Sequence, residues 1–165
     1  MARVSAVYEE NNCKSVIRDH EPYLILNLEK FSNLRGLRGI SHCDFMYIRC
    51  RDNSRRFEIF LVDLKNIDPN TDIEKVVSII NNFLDNKIPQ TRALIRDLLN
   101  ELYVSNPNHY GVLVLPKNVI DRLWENYSVI ARIIHKFRNA WITACDNNAQ
   151  LSSTNDIRRR HFPLK

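Results

Sequence analysis

Two aspartates and one lysine are the residues of this chain whose spacing could support a particular chemistry. Asp63 and Lys65 stand at the end of an apolar run, residues 57–62, and Asp44 opens an earlier run that continues through residues 45–48. Two converging carboxylates repel each other unless a cation lies between them, and Mg²⁺ is commonly held by one or two carboxylates together with a phosphate. A neighbouring ammonium can stabilise the charge that develops on that phosphate. The three residues therefore indicate a magnesium site for phosphodiester hydrolysis.

A β-hairpin formed by the two runs would position these three side chains. With Asn53 and Ser54 at the centre of the turn, Asp44 lies opposite Asp63. Opposed residues of an antiparallel pair have Cβ atoms about 4.5–5.5 Å apart. Because side chains alternate between the faces of a strand, Lys65 shares a face with Asp63. A slip of one residue would abolish this alignment.

This arrangement resembles the core motif of the PD-(D/E)XK nuclease superfamily, which has an acid at the start of one strand and then Asp or Glu, any residue and Lys on the next. The matching residues are Asp44, Asp63 and Lys65, and Cys43 stands where the motif has proline. The resemblance covers roughly residues 21–67. It implies a restriction-endonuclease-like α/β fold, in which a small mixed β-sheet with a central hairpin is flanked by helices.

The same resemblance implies roles for individual residues. Asp44 and Asp63 would hold Mg²⁺ or Mn²⁺, and Lys65 would orient water or stabilise charge. Many members also carry a glutamate on the helix before the first strand, and Glu29 is the best candidate for it, with Glu21 second. The subfamily is not identified by these residues.

The motif is short, so its context carries the interpretation. Asp85-Asn86-Lys87 is a second match, which we interpret as a solvated helix end. The alternative for the first match is an ordinary hairpin in which Asp63 and Lys65 form a surface ion pair, an interaction of small energetic consequence.

Charge and length indicate one basic globular unit. The 165 residues carry a formal net charge of +5, and we expect a single α/β domain over residues 1–150 followed by a basic, flexible tail over 151–165. Basic residues concentrate beside the candidate site and in this tail, a distribution typical of phosphate binding. The predicted nucleic-acid contacts are Arg35, Arg38, Arg55, Arg56, Arg158, Arg159 and Arg160. The alternative is that these arginines are merely solvated.

The cysteines and the apolar segments bear on location. Cysteines 13, 43, 50 and 145 form no Cys-X-X-Cys pair, which argues against a zinc or iron–sulfur site and favours reduced thiols. No run of 18 apolar residues and no signal-peptide core is visible. We therefore expect a cytoplasmic protein without a membrane partner.

Periodicity places further elements around the hairpin. Residues 4–8 are read as a short strand with a helix after it. Residues 23–28 are compatible with a helix or a strand, and the resemblance favours a helix that ends near Phe31. Residues 71–74 have the pattern of a capping box before a helix, and Pro89 is expected to separate that helix from the next. Strands are predicted at 111–115 and 141–145, with a helix capped by Asn118 between them.

Three functions are compatible with these patterns. The first is a Mg²⁺-dependent endo- or exodeoxyribonuclease, with RNA as an alternative substrate. The second is a non-catalytic nucleic-acid-binding or assembly protein that retains a nuclease-like fold. The third is an interaction module that uses its apolar helical stripes as an interface. The resemblance adds the expectation of a homodimer, since many members act as dimers on duplexes.

Overall fold

The structure, a computed structural model, describes the backbone of residues 4–10, 13–19, 23–51 and 56–144, and the side chains of residues 24–50 and 56–144. Glu21, Arg55 and the predicted tail with Arg158, Arg159 and Arg160 lie outside the described residues. Within these bounds the chain is mixed α/β, as predicted, with helices packed on a five-stranded mixed sheet.

A separate two-stranded hairpin precedes the main sheet. Its strands are β1 (Val4–Glu10) and β2 (Cys13–Asp19), which pair antiparallel. The strand predicted at residues 4–8 is confirmed, whereas the helix expected after it is wrong, because that segment forms the second strand of the hairpin.

The main sheet has the strand order β3-β4-β5-β6-β7. Its strands are β3 (Tyr23–Asn27), β4 (Phe45–Arg51), β5 (Arg56–Leu64), β6 (Asn108–Leu115) and β7 (Ala140–Ala144). The first three form an antiparallel meander, and β5, β6 and β7 run parallel. Both strands predicted late in the chain are confirmed.

Of the two alternatives for residues 23–28, the strand is confirmed and the helix favoured by the resemblance is wrong, because most of this segment is strand β3. Helix α1 (Leu28–Leu34) begins directly after it. The division falls at Asn27, whose side chain accepts a hydrogen bond from the amide of Lys30 at 2.9 Å and so caps the helix. The apolar residues before Asn27 pair with the edge of β4 instead of forming a helical turn.

The long helical segment after β5 is continuous where a break was predicted. Helix α2 (Ile73–Asn82) passes through a π-helix (Phe83–Lys87) into helix α3 (Ile88–Glu101). Pro89 lies in the first turn of α3, where the missing amide of proline is tolerated. The N-cap of α2 is Asp72, one residue after the start of the predicted capping box, and its side chain accepts the amide of Glu74 at 2.8 Å.

Two short helices connect β6 to β7. They are α4 (Lys117–Glu125) and α5 (Tyr127–Ile133), and a 3₁₀ turn (Ile134–Lys136) follows. The N-cap of α4 is Pro116 and not Asn118, and Tyr127, the first residue of α5, is exposed. None of the helices in the described part of the chain is long and apolar enough to cross a membrane.

The helices pack on one face of the sheet, here called the helix face. Chain order and spatial order coincide from β5 to β7, so right-handed crossovers place both helical connections on the same side. Their apolar stripes meet the side chains of alternate strand residues, including Ile59, Leu61 and Leu113. Most side chains of the stripes are buried in this core, although Leu102, Tyr103, Trp124 and Tyr127 are exposed. The packing therefore does not favour the third function, an interface built from whole stripes. The opposite face carries a second cluster around Tyr47, Phe60 and Trp141.

Candidate active site

The hairpin of β4 and β5 has the predicted register. Phe45 pairs with Val62 and Arg51 pairs with Arg56, so the pairing extends toward Asp44 opposite Asp63. Asp44 directly precedes β4, and its backbone amide donates to the carbonyl of Val62 at 2.9 Å. Its carboxylate Oδ2 accepts the amide of Leu64 at 2.6 Å. These two bonds hold Asp44 across from the segment that contains Asp63.

Asp63 is a fully buried carboxylate at the end of β5. It lies on the helix face, since it alternates with Ile59 and Leu61 of the core on that face. The ammonium of Lys65, which is partly exposed, is 3.5 Å from Asp63 Oδ2. That contact is too long to be a good hydrogen bond, and Oδ2 has no hydrogen-bond partner. A buried carboxylate oxygen without a partner is uncommon in proteins and requires an explanation.

Lys87 is a site residue that the sequence interpretation missed. Its Nζ donates to Asp63 Oδ1 at 2.7 Å, and its side chain is only 13% exposed. The prediction of a solvated helix end at Asp85-Asn86-Lys87 is therefore wrong for the lysine, although Asp85 is exposed and binds Lys136 at the surface. Asp63 thus has two ammonium groups beside its two oxygens.

The electrostatics of Lys87 show that both aspartates act on it. Partial burial lowers the pKa of Lys87, but the charge of Asp63, contacts with Asp63 and Lys65, and the charge of Asp44 together outweigh burial. The net pKa of Lys87 is raised above its usual value of 10.5. Lys87 is therefore a stable cation between two carboxylates at neutral pH.

The π-helix brings Lys87 to the sheet. In a regular α-helix the amide of residue 89 would bond to the carbonyl of Asp85, but proline has no amide hydrogen. The spacing of the helical hydrogen bonds changes here from i→i−4 to i→i−5, and the amide of Ile88 donates to the carbonyl of Phe83. Single π-turns inside α-helices occur frequently at functional sites.

A hydrogen bond to α3 and a glycine in β6 help to place the π-helix against the sheet. Thr91 Oγ1 accepts the amide of Cys43 at 2.8 Å, which ties α3 to the residue before Asp44. Gly111 of β6 lies under the π-helix, and a Cβ at this position would collide with Ile88 and come within 3.1 Å of Phe83. The absence of a side chain at Gly111 therefore allows the π-helix to lie close to the sheet.

Cys43 reports the low polarity of the site. Burial raises the pKa of the Cys43 thiol to about 12, and the carboxylates of Asp63 and Asp44 contribute to the increase, while Thr91 and Lys87 oppose it. Cys43 and Cys50 are both free thiols. A thiol with such a pKa is neutral and unreactive at physiological pH.

The carboxylates at the site number two and not three. Glu29 lies in the first turn of α1, whose Leu28 amide donates to the carbonyl of Asp44 at 2.9 Å, but its side chain is exposed. In the described part of the chain, no group of three or more His, Cys, Asp or Glu side chains could hold a metal ion. The structure thus brings Asp44, Asp63 and Lys65 together, adds Lys87, and does not add Glu29.

The predicted arginines differ in their availability. Arg38 and Arg56 are exposed. Arg35 is engaged: its guanidinium is 3.3 Å from Glu101 and lies 5.4 Å from the ring centre of Phe31. Arg35 would have to leave Glu101 in order to bind a phosphate.

One sequence signal could have identified Lys87. The inward stripe of α2 contains Ile80, Phe83 and Leu84, and helical spacing extends it to residue 87. A lysine on an inward position requires a buried partner. The expected break at Pro89 prevented this extension.

No protein-family model, curated protein or solved structure matches this chain. The geometry of the site must therefore carry the functional conclusion.

Proposed function

We propose that this chain is a nuclease that hydrolyses phosphodiester bonds in DNA, with RNA as an alternative substrate, and that its fold is restriction-endonuclease-like. The observation that carries the proposal is the buried carboxylate of Asp63, which has an oxygen without a hydrogen-bond partner beside Asp44 and Lys65. Leaving a buried carboxylate oxygen unpaired is costly in a protein that is only structural. A site that accepts a further ligand at this oxygen would explain why Oδ2 has no hydrogen-bond partner within the protein.

The topology supports the same proposal. The Asp-Xaa-Lys segment ends a strand in the middle of a mixed sheet, and the other acid begins the adjacent antiparallel strand. A helical connection follows and leads to a parallel strand, β6. This is the small mixed sheet with a central hairpin that the sequence motif implies.

The residues present fit a divalent cation with few protein ligands. Mg²⁺ keeps several waters and is usually bound by one or two carboxylates together with substrate phosphate. Asp44 and Asp63 would hold Mg²⁺ or Mn²⁺, which when bound would activate water and neutralise charge on the phosphate. Asp63 Oδ2, which has no hydrogen-bond partner and only the 3.5 Å contact with Lys65, is the oxygen available for such a ligand.

The lysines of the site have separate tasks in this proposal. Lys65, partly exposed, would stabilise the charge that develops on the phosphate oxygens. Lys87, more buried and bonded to Asp63 Oδ1, would fix the orientation of that carboxylate. Arg38 and Arg56 would bind phosphates of the nucleic-acid backbone. A cytoplasmic location belongs to the same proposal and agrees with the free thiols of Cys43 and Cys50.

One observation favours the alternative, a non-catalytic nucleic-acid-binding protein with this fold. The ammonium groups of Lys65 and Lys87 already face the carboxylate of Asp63. Two lysines and two aspartates balance in charge, so the site is neutral without a metal ion. In that case the arginines would bind nucleic acid and the aspartates would only support the fold.

Digestion of plasmid and oligonucleotide DNA with Mg²⁺, and with EDTA in its place, tests the proposal. We expect cleavage by the wild-type protein with Mg²⁺ and a loss of about 10²–10³-fold or more in Asp63→Asn, because the variant lacks the charge that holds the cation. Asp121→Asn is the matched control, since Asp121 is an exposed aspartate that pairs with Lys117 four residues away. Equal cleavage by Asp63→Asn and wild type would refute the site. DNA binding without any cleavage would support the alternative.

A further inference from the structure

A second feature of the molecule is a groove between α3 and the segment that leads into β6. The groove has a volume of about 700 Å³, and its walls come from residues 89–100 of α3 and residues 104–109. This volume is within the range of ligand-binding sites. The lining includes the polar or charged side chains of Arg92, Arg96, Asn100, Ser105, Asn106 and His109.

The groove is lined by two arginines that form no ion pair within the described part of the chain. Arg92 and Arg96 lie four residues apart and so share one side of α3. Both side chains are exposed, and among the ion pairs of the described residues neither guanidinium has a carboxylate partner. Arg35, Arg49 and Arg132, in contrast, each pair with a glutamate. Two unpaired guanidinium groups in one groove are suited to phosphate oxygens, which they can bind through two hydrogen bonds each.

His109 shows that the positive field reaches the floor of the groove. It is half-buried, and its pKa is lowered, mainly by burial and further by the charge of Arg92. The imidazole is therefore neutral at physiological pH and can exchange hydrogen bonds with a ligand. No acidic side chain lines this groove.

The groove continues beyond His109 toward β7. A neighbouring cavity of about 190 Å³ shares Arg92 and His109 with it and is also lined by Tyr110, Lys136 and Asn139. Asp85 lines this second part, where it binds Lys136 at 2.8 Å. The two cavities thus share a wall formed by Arg92 and His109, and together they are here called the basic path.

The loop at the other end has an unusual backbone. Tyr103 and Asn106 have positive φ angles of 54° and 45°, a conformation that residues other than glycine adopt rarely. At Tyr103 this conformation ends α3 in a Schellman motif, in which the amide of Val104 donates to the carbonyl of Leu99 at 2.9 Å and the amide of Tyr103 to that of Asn100 at 3.1 Å. Tyr103 precedes the lining residue Val104, and its side chain is 91% exposed. An exposed aromatic ring beside a basic groove is the combination that single-stranded nucleic acids require, because bases stack on the ring while phosphates follow the charges.

We propose that this path binds a single strand of nucleic acid, with its phosphates on Arg92 and Arg96 and a base on Tyr103. The proposal rests on the proposed function in that the bound strand belongs to its substrate. The path would retain a strand near α3, the helix that directly follows Lys87 of the candidate active site.

Fluorescence anisotropy with a labelled single-stranded oligonucleotide in EDTA tests this binding apart from cleavage. The test variant is Arg92→Gln/Arg96→Gln, and the matched control is Lys75→Gln/Arg132→Gln, which removes the same charge from exposed positions of α2 and α5. We expect a clear increase in Kd for the test variant and almost none for the control. Two fewer phosphate contacts reduce the slope of log Kd against log salt concentration by about 1.4. The ratio of the variant's Kd to the wild-type Kd should therefore fall about sevenfold between 50 and 200 mM salt.

Further variants separate the possible outcomes. Tyr103→Ala is expected to weaken binding without a change in salt slope, because stacking releases no counterions. Equal affinity of the test variant and wild type, or no binding by wild type, overturns the inference. Tighter binding of duplex than of single-stranded DNA would overturn it in favour of a duplex ligand. Displacement of the oligonucleotide by a low concentration of free pyrophosphate would overturn it in favour of a small phosphate ligand. Strand binding through these arginines without cleavage would refute the nuclease and leave the inference intact.

Discussion

Each face of the sheet carries one buried ionic group, and the two groups differ in how fully their carboxylates are paired. On the opposite face, Arg49 and Glu58 are cross-strand partners of β4 and β5, and their side chains are 2.5 Å apart with 5% and 3% exposure. The guanidinium also lies 5.4 Å from the ring centre of Phe60. On the helix face, Asp63 has two ammonium groups and an oxygen without a hydrogen-bond partner.

This difference separates a structural pair from a site that can accept a ligand. Glu58 lies within its strand, and its partner approaches from the adjacent strand in register. Asp63 lies at the end of its strand. Its partners are the ammonium groups of Lys65, which is partly exposed, and of Lys87, which is 24 residues later in the chain. A pair buried in mid-strand offers no access, whereas the strand end opens toward solvent through Lys65.

The largest loss of stability should come from a change in the pair of Arg49 and Glu58, here called the closed pair. Glu58→Gln removes the carboxylate charge that lies 2.5 Å from a buried guanidinium, and we expect the free energy of unfolding to fall by about 3–5 kcal/mol. Asp63→Asn should cost less, about 1–3 kcal/mol, because the amide oxygen can still accept from Lys87 and this lysine can move toward solvent. Urea denaturation of both variants measures the two values. A larger loss in Asp63→Asn than in Glu58→Gln would reverse the comparison.

The candidate active site should also weaken the fold at alkaline pH. The pKa of Cys43 is raised from 9.0 to about 12, so above pH 9 the unfolded chain loses this proton while the folded chain keeps it. A group with a raised folded-state pKa stabilises the fold below its unfolded pKa and loses this contribution as pH rises. At 1.36 kcal/mol per pH unit, the loss reaches about 2 kcal/mol by pH 10.5.

Cys43→Ala separates this contribution from other titrations. The variant should lose about 2 kcal/mol less than wild type between pH 7.5 and 10.5, as measured by urea denaturation at both values. Cys50→Ala is the control, since Cys50 is only partly buried. If the stability of wild type and of Cys43→Ala changes equally with pH, burial at the site does not raise the pKa of this thiol.

The hairpin could be predicted from sequence because its determinants are local. The two apolar runs are close together in the sequence and pair in register, and that register places Asp44 near Asp63. The same register also places Arg49 opposite Glu58, so the closed pair was within reach of the sequence once alternation was applied to every charge in the runs. The roles of Asp44, Asp63, Lys65 and Glu29 stay predictions.

The sequence interpretation missed Lys87 for a different reason. It lies 24 residues after Asp63, and its approach depends on a π-turn, on Pro89 at the start of α3, and on the small size of Gly111. Proline was interpreted as a break because most prolines within helical patterns end the helix. The identity of residues 23–27 as a strand likewise depended on pairing with β4, which local propensity does not encode.

The smallest predicted effect concerns competition between Lys87 and a metal ion. At about 4 Å, two unit charges interact by roughly 1 kcal/mol in water and 4 kcal/mol near a protein surface. Lys87→Met removes a cation that would repel a divalent ion at Asp44 and Asp63, so we expect Mn²⁺ to bind about tenfold more tightly, a change of about 1.4 kcal/mol. Isothermal titration with Mn²⁺ measures this, and Lys117→Met, at an exposed lysine, is the control. Unchanged or weaker Mn²⁺ binding in a folded Lys87→Met would mean that Lys87 does not compete for the site. The cluster would then be as closed as the pair of Arg49 and Glu58.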